Sequence, residues 1–206
     1  SDALAQNLVA RKWMNVLLLT GPSPADAERS ATAQASIKRY GLKLAGSKPF
    51  KLSADPRERD LGNPLLLTQG AYDAVWVVDS DGEFAQNLPY RTALPRPVVG
   101  DGGLMALAWQ AQFERFGAPQ VSRRFAKATQ RPMGHLDWAA WMGIKALADA
   151  AVAVPKGTPA AFAKALNSVN VDGTKGVALA FRPWDGQLRQ PLLLTDGVGV
   201  IATAPI

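Results

Sequence analysis

The side chains best suited to chemistry lie in two short polar segments, each directly after an apolar run. The segment Asp79-Ser80-Asp81-Gly82-Glu83 follows the run Ala74–Val78, and Asp101-Gly102-Gly103 follows Pro97–Gly100. Continuous apolar runs of this length are typical of buried parallel strands. Ligands of open α/β sheets bind beyond the carboxyl ends of such strands. The spacing therefore predicts that both segments meet at one edge of a sheet and form a binding site there.

Three kinds of site are compatible with these side chains. Asp79 and Asp101 could serve as an acid–base pair in an enzyme, if their environments separate their pKa values. The loop Asp79–Glu83 could hold a hard cation, although an EF-hand would need acidic residues at two positions that are apolar here. In the third interpretation Asp79 ends the strand and Ser80 or Asp81 caps the following helix, whose start then faces a ligand without catalysis.

Residue types exclude most other chemistry. The chain has no cysteine, so it has neither a thiolate nucleophile nor a thiolate zinc site. Its single histidine, His135, cannot build a multi-histidine metal site and is interpreted as a loop or helix-start residue. The GxGxxG and GxxxxGK[ST] spacings are absent, which argues against dinucleotide and P-loop sites. No cofactor is predicted.

The composition indicates a globular chain that does not bind nucleic acid and does not span a membrane. Its 206 residues are 48% hydrophobic, without an apolar run long enough to cross a bilayer. The net charge is +6, but no run of basic residues exceeds two. Dispersed basic residues are typical of a solvated surface rather than of a nucleic-acid interface. The lack of disulfides leaves the compartment open.

The first half of the chain predicts an α/β fold with a doubly wound parallel sheet, because helices and strands alternate along it. The predicted order is helix Asp2–Lys12, strand Trp13–Thr20, helix Pro24–Tyr40, strand Leu42–Leu52, helix Asp60–Gln69, strand Asp73–Val78, helix Glu83–Tyr90 and strand Val98–Val99.

The second half predicts more helices than its strands can cover. It is expected to contain helices Gln110–Phe116, Val121–Gln130, Asp137–Val154 and Thr158–Ser168, and strands Gly176–Arg182, Pro191–Thr195 and Val198–Thr203; Leu104–Trp109 could be a strand or a helix start. Helices need a sheet or one another to bury their apolar faces. We therefore expect either a small bundle or a sheet completed by residues outside this sequence.

The order of these motifs resembles that of type I periplasmic binding proteins, the branched-chain-amino-acid-binding kind that serves ABC importers. The resemblance rests on the helix Asp137–Ala150, on the strand and turn Gly176–Leu188, and on the glycine-bearing loop Val98–Gly103. The runs Gly82–Thr92 and Phe181–Pro191 are also similar to a divergent branch associated with pyrroloquinoline-quinone-dependent alcohol oxidation.

The resemblance implies a two-lobed fold whose first lobe is incomplete here. Residues 1–105 would form most of lobe two, residues 106–186 would return to lobe one, and residues 187–206 would end in lobe two. The N-terminal part of the family's fold would be absent, so a missing segment or another chain would cover the exposed helices. The family binds a small molecule in the cleft between the lobes, without catalysis, and delivers it to an ABC permease from the periplasm.

The resemblance also places the ligand contacts on the loops after the strands of lobe two. It adds Ser23 to the candidates that follow the two later strands. The expected ligand-binding residues are Ser23, Asp79, Ser80, Glu83, Asp101 and Gly102. The acidic residues depart from the amino-acid-binding members of the family, so the ligand stays open. The alternatives are a metal-binding or sensory accessory protein of quinone-dependent alcohol oxidation and a carboxylate-dependent enzyme.

Overall fold

The chain forms two structural units, and the computed structural model describes all 206 residues. Unit 1 comprises residues 1–106, 194–197 and 201–206, and unit 2 comprises residues 107–193 and 198–200. The assignment of residues 1–105, 106–186 and 187–206 to the two lobes of a larger fold stays a prediction.

Unit 1 is built on a four-stranded parallel sheet with the strand order β2-β1-β3-β4. Its elements are α1 (Asp2–Ala10), β1 (Asn15–Thr20), α2 (Pro24–Arg39), β2 (Lys43–Pro49), α3 (Pro64–Leu67), β3 (Ala74–Val78), α4 (Glu83–Asn87) and β4 (Val98–Gly100). The predicted α/β fold with a doubly wound parallel sheet is confirmed. Because all four strands run in one direction, the loops after β1, β3 and β4 leave the sheet at the same edge.

Burial explains why the central strands form where the apolar runs lie. All five residues of β3 are buried, and β1 is buried from Val16 to Leu19. α2 begins as its sequence predicts: the Ser23 hydroxyl accepts a hydrogen bond from the Asp26 amide at 3.0 Å, and Pro24 follows at the first helical position. Burial on both faces of the central strands therefore fixes the position of the sheet edge.

Two sequence predictions in unit 1 differ from the structure by more than a residue or two at the end of an element. The strand predicted over 42–52 is shorter, Lys43–Pro49, and the helix predicted over 60–69 is a 3₁₀ turn, Pro56–Gly62, followed by α3. Asn63 explains the break, because its side chain accepts a hydrogen bond from the Leu65 amide and starts a new helix.

Unit 2 combines helices with a small antiparallel sheet. Its elements are α5 (Ala118–Thr129), α6 (His135–Ala153), α7 (Pro159–Ser168), β6 (Asn170–Asp172), β7 (Ala178–Phe181) and β8 (Leu188–Arg189). The sheet has the order β6-β7-β8. The sequence predicted β7 but neither of its short partners.

A third sheet, β10-β9-β5, contains β5 (Met105–Leu107), β9 (Leu192–Thr195) and β10 (Val200–Ala204).

The helix predicted over Gln110–Phe116 is wrong. This segment forms two turns, in which the Phe113 amide donates to the Gln110 carbonyl and the Ala118 amide donates to the Arg115 carbonyl, each at 3.0 Å. Phe116 has a positive φ of 53°, which ends any right-handed helix at this point. The turns instead bring the buried Trp109 and Phe113 rings into edge-to-face contact.

The core of unit 2 contains a buried lysine. Trp138 stacks on Trp109 with ring centroids 6.0 Å apart, and the Lys175 ammonium lies 4.0 Å from the centroid of the Trp138 ring. Lys175 also donates to the Gln190 side chain at 2.6 Å and to the Pro191 carbonyl at 2.8 Å. Burial lowers the pKa of Lys175 to about 7, because removal from water disfavours the charged ammonium.

Helix α6 has two apolar faces, and only one of them is covered within unit 2. Trp138, Met142 and Ala146 are buried, whereas Leu136 and Ile144 on another face are 73% and 68% exposed. A helix that is apolar on all sides is typical of a buried environment. None of the helices has the length and apolar character needed to cross a bilayer.

We predict that Lys175 makes the stability of the fold depend on pH above neutrality. Since its pKa is lower in the folded than in the unfolded chain, the unfolded chain binds more protons between pH 7 and about 10. The free energy of unfolding should therefore rise by up to about 1.4 kcal/mol per pH unit in this window, relative to Lys175→Met. Urea unfolding of both proteins at pH 6 to 9.5 measures this difference; parallel pH profiles would contradict it.

Candidate functional site

The loops after β1, β3 and β4 lie side by side at the carboxyl edge of the unit 1 sheet. The Gly21 amide donates to the Val78 carbonyl at 2.8 Å, and the Asp101 amide donates to the Val77 carbonyl at 3.0 Å. These bonds continue the strand pairing beyond β1 and β4. The three loops that the sequence singled out are therefore brought together.

Asp26 joins the first two of these loops. Its carboxylate is 2% exposed and accepts hydrogen bonds from the Ser80 amide at 2.8 Å, the Ser80 hydroxyl at 2.6 Å and the Ser23 amide at 3.2 Å. Burial alone would raise the pKa of Asp26, but the hydrogen bonds from Ser80 and Ser23 outweigh burial and lower the pKa. Gly21 is required for this arrangement, since a β-carbon there would lie 2.5 Å from the Asp26 carboxylate.

Arg29 and Asp101 join the second loop to the third. The Arg29 guanidinium donates to the Ser80 hydroxyl at 3.2 Å and also pairs with the Asp101 carboxylate. The other oxygen of Asp101 accepts the Asp79 amide at 2.7 Å. A continuous network thus runs from Ser23 through Ser80 to Asp101. It holds all three loops in a fixed arrangement.

Asp79 caps α4, a role that the sequence assigned to Ser80 or Asp81. Its buried carboxylate accepts the Ala85 amide at 2.9 Å. The residue before α4 is Gly82, which has a φ of 77° and no side chain that could accept such a bond. Asp79, three residues before Gly82, therefore supplies the capping hydrogen bond that the residue directly before a helix usually supplies.

A cleft of about 610 Å³ opens beside these loops within unit 1. It is lined by Asp81, Gly82, Glu83, Gln86, Asp101, Gly102, Gly103, Met105 and Asp196. The volume is typical of small-molecule sites. Four of the nine lining residues are acidic and none is basic, so the cleft suits a ligand that carries positive charge.

The structure divides the six predicted site residues into two groups. Glu83, Asp101 and Gly102 line the cleft. Ser23, Asp79 and Ser80 lie outside its lining, and their side chains hold the loops through the bonds described above. Direct ligand contact by any of the six stays a prediction.

Sequence reasoning missed three residues that shape this site, which are Asp26, Arg29 and Asp196. A signal for Asp26 exists, because Ser23-x-x-Asp26 has the spacing of a capping box. Its bonds to Ser80, 54 positions away, have no such signal. Arg29 meets Asp101 over an even longer separation of 72 positions. Asp196 follows β9, whose position beside the cleft depends on the fold.

The site offers no arrangement that favours the metal or enzyme alternatives. No group of three or more histidine, aspartate or glutamate side chains is placed to hold a metal ion. The two carboxylates proposed for acid–base chemistry both accept backbone hydrogen bonds. Asp79 accepts one from the Ala85 amide, and Asp101 accepts one from the Asp79 amide. The carboxylates of Asp79 and Asp101 therefore serve to fix the loops.

Comparison with known proteins identifies the fold through solved structures. No family model and no curated protein matches the sequence. Similar structures include a branched-chain amino acid ABC transporter periplasmic ligand-binding protein from Burkholderia xenovorans, with a TM-score of 0.76 at 13% identity. A solute-binding protein of an ABC transporter from R. palustris, solved with benzoate, has a TM-score of 0.71 at 12% identity. Another, from Rhodopseudomonas palustris and in complex with 3,4-dihydroxybenzoic acid, has a TM-score of 0.68 at 15% identity.

These similarities cover nearly the whole of the chain but only part of each solved structure. Each comparison covers 98% of this chain and 61 to 64% of the other chain. The chain therefore has part of the two-lobed periplasmic binding protein fold. At such low identity the similarity establishes the fold and leaves the ligand open.

We predict that Asp26→Asn destabilises the protein by about 1–3 kcal/mol, because it weakens charge-assisted hydrogen bonds to the Ser80 and Ser23 amides in a buried position. Glu28→Gln, on the exposed side of the same helix, is the matched control and should change stability by less than about 0.5 kcal/mol. Urea unfolding at pH 7 measures both.

The Asp26 contribution has a defined pH dependence. Since the pKa of Asp26 is lowered on folding, its stabilisation is present above pH ~4 and is lost as the pH falls through the lowered pKa. The difference between wild type and Asp26→Asn should therefore shrink below pH 4. An equal difference at pH 3 and pH 7 would contradict the assigned role.

Proposed function

We propose that this chain belongs to the solute-binding component of an ABC-type importer and binds a small molecule in the unit 1 cleft without catalysis. The observation that carries the proposal is a cleft of about 610 Å³ at the carboxyl ends of parallel strands. Ligand binding at this edge is general for open α/β sheets. The solved structures with this fold support the proposal, because they are solute-binding proteins of ABC transporters.

In this proposal the six predicted residues have two different roles. Glu83 contacts the ligand through its carboxylate. Asp101 contributes its charge to the cleft lining while its oxygens stay bonded to Arg29 and to the Asp79 amide, and Gly102 allows the third loop to approach α4. A β-carbon at Gly102 would lie 2.3 Å from the Ala85 carbonyl oxygen, so any larger residue would push the loop away. Ser23 and Ser80 hold the loops together with Asp79 and so determine where the lining residues lie.

The charge of the lining favours a ligand with an ammonium or another cationic group. Asp81, Glu83, Asp101 and Asp196 line the cleft, no basic residue belongs to the lining, and Arg29 pairs with Asp101. An aromatic acid such as benzoate would bring a further negative charge into this cleft. Charge complementarity therefore favours an amine or a zwitterion over a simple carboxylate at this place.

The remaining parts of the proposal follow from the resemblance to periplasmic binding proteins. The location would be the periplasm and the partner an ABC permease. A segment outside this sequence, or another chain, would cover the exposed apolar face of α6 around Leu136 and Ile144. Membership of the branch associated with quinone-dependent alcohol oxidation stays a prediction from the sequence runs 82–92 and 181–191.

A thermal-shift screen tests the proposed site. The panel contains amino acids, primary amines, aromatic acids and alcohol-oxidation products, each at pH 7. An amine-bearing ligand at a hundred times its dissociation constant should stabilise the protein by about 2.7 kcal/mol. The same compound should give a strongly reduced shift with Glu83→Gln and an unchanged shift with the control Asp60→Asn, which removes an acidic residue outside the cleft.

Two results would overturn the proposal. One is stabilisation by a compound that is equally strong in Glu83→Gln and wild type, which would place its site elsewhere. The other is conversion of the bound compound into a product, which mass spectrometry of the incubated mixture would detect and which would make the protein an enzyme.

We predict that the apolar face of α6 makes the 206-residue chain associate with itself when nothing else covers that face. Ile144→Gln should reduce the association measured by light scattering at increasing protein concentration, because it removes a 68%-exposed apolar side chain from this face. Ile206→Gln is the matched control, since Ile206 is 60% exposed at the end of the chain. A wild-type chain that stays monomeric at high concentration would contradict the prediction.

A further inference from the structure

Unit 2 contains a second cleft, which the proposed function does not use. It has a volume of about 350 Å³ and is lined by Val121, Arg124, Phe125, Met133, Asp137 and Trp141. Residues 121, 124 and 125 lie on one face of α5, and residues 137 and 141 lie one turn apart on α6. The cleft is therefore formed by two helix faces and the turn between them. Its volume lies within the range of small-molecule sites.

The walls of this cleft are apolar and partly aromatic. The side chains of Phe125 and Trp141 are half-buried, and that of Met133 is 4% exposed. The guanidinium of Arg131 lies 4.9 Å from the centroid of the Phe125 ring and packs on it. This contact holds the Phe125 ring at the wall. Such walls favour an aromatic or branched aliphatic group over a polar one.

The charges around the cleft favour an anion. Asp137 is the only acidic residue of the lining, and its two oxygens accept two hydrogen bonds of 2.6 Å from Arg131. Those bonds, together with the Gly134 amide, lower the pKa of Asp137 to about 2. Arg124 belongs to none of the six salt bridges of the structure. Its guanidinium is therefore the charge left for a ligand.

The surface around this cleft is positively charged, which also favours an anionic ligand. Helix α5 carries Arg123, Arg124 and Lys127 and no acidic residue. Unit 2 as a whole has eleven lysines and arginines against five acidic residues, whereas unit 1 has twelve of each. The net charge of +6 of the chain therefore resides in unit 2. A positive potential of this kind raises the local concentration of anions.

From this combination we infer that the α5–α6 cleft is a second ligand site, which binds a small aromatic or branched aliphatic carboxylate. The carboxylate accepts hydrogen bonds from the Arg124 guanidinium, whose planar fork matches the geometry of a carboxylate. The apolar group lies against Phe125 and Trp141. This site is independent of the unit 1 cleft, which is acidic and suits the opposite charge.

Benzoate is the probe that tests this inference, with isothermal titration calorimetry as the measurement. We expect saturable binding of benzoate and weaker binding of benzyl alcohol, which has the same ring without the charge. Arg124→Gln should weaken benzoate binding about tenfold or more, because it removes a charge-assisted contact. Arg123→Gln removes the same charge from the neighbouring position outside the lining, and it should change the affinity less than twofold.

Three results would overturn the inference. Equal losses in Arg124→Gln and Arg123→Gln would show a general electrostatic effect instead of a contact with one guanidinium. Loss of benzoate binding in Glu83→Gln would place the ligand in the unit 1 cleft. Absence of saturable binding to the wild-type chain would show that the α5–α6 cleft does not take such a carboxylate. Circular dichroism of each variant verifies that its fold is retained.

Discussion

The candidate site depends on one buried carboxylate, that of Asp26. Its oxygens accept both donors of Ser80 and the Ser23 amide, and so connect the loop after β1 to the loop after β3. A buried charge is stable only when such bonds replace its lost hydration. Asp26 and the two loops therefore depend on each other. The loops supply the hydrogen bonds that Asp26 needs, and Asp26 holds the loops in position. Arg29 and Asp101 extend this connection to the loop after β4.

The two units handle buried charge in different ways. In unit 1, Asp26 remains ionised because hydrogen-bond donors surround its carboxylate. In unit 2, Lys175 has two carbonyl acceptors and the Trp138 ring, and its pKa nevertheless falls to about 7. The pKa shifts are both set by the balance between the hydration that each group loses on burial and the hydrogen bonds that replace it. For Asp26 these bonds outweigh the lost hydration, and for Lys175 they do not. Asp26 in unit 1 and Lys175 in unit 2 are thus buried ionisable groups on which local packing depends.

Local sequence signals predicted the strands and the site edge but not the contacts that hold them. The apolar runs before Thr20, Asp79 and Asp101 place three strands correctly, because burial on both faces leaves a continuous apolar pattern. The bond between Asp26 and Ser80 spans 54 positions, and no local pattern encodes such a contact. The segment 110–116 forms two turns instead of the predicted helix, and the positive φ of Phe116 in the second turn has no sequence signal. The short strands β6 and β8 depend on pairing with β7, which periodicity does not reveal either.

Amide NMR of the protein, titrated with the amine that stabilises it most, would locate the bound ligand residue by residue. We expect saturable shifts that concentrate on residues 81–86 and 101–103, while the amides of α5 and α6 stay unchanged. Shifts that concentrate in unit 2, or that spread evenly over the surface, would contradict a ligand site at the carboxyl edge of the parallel sheet.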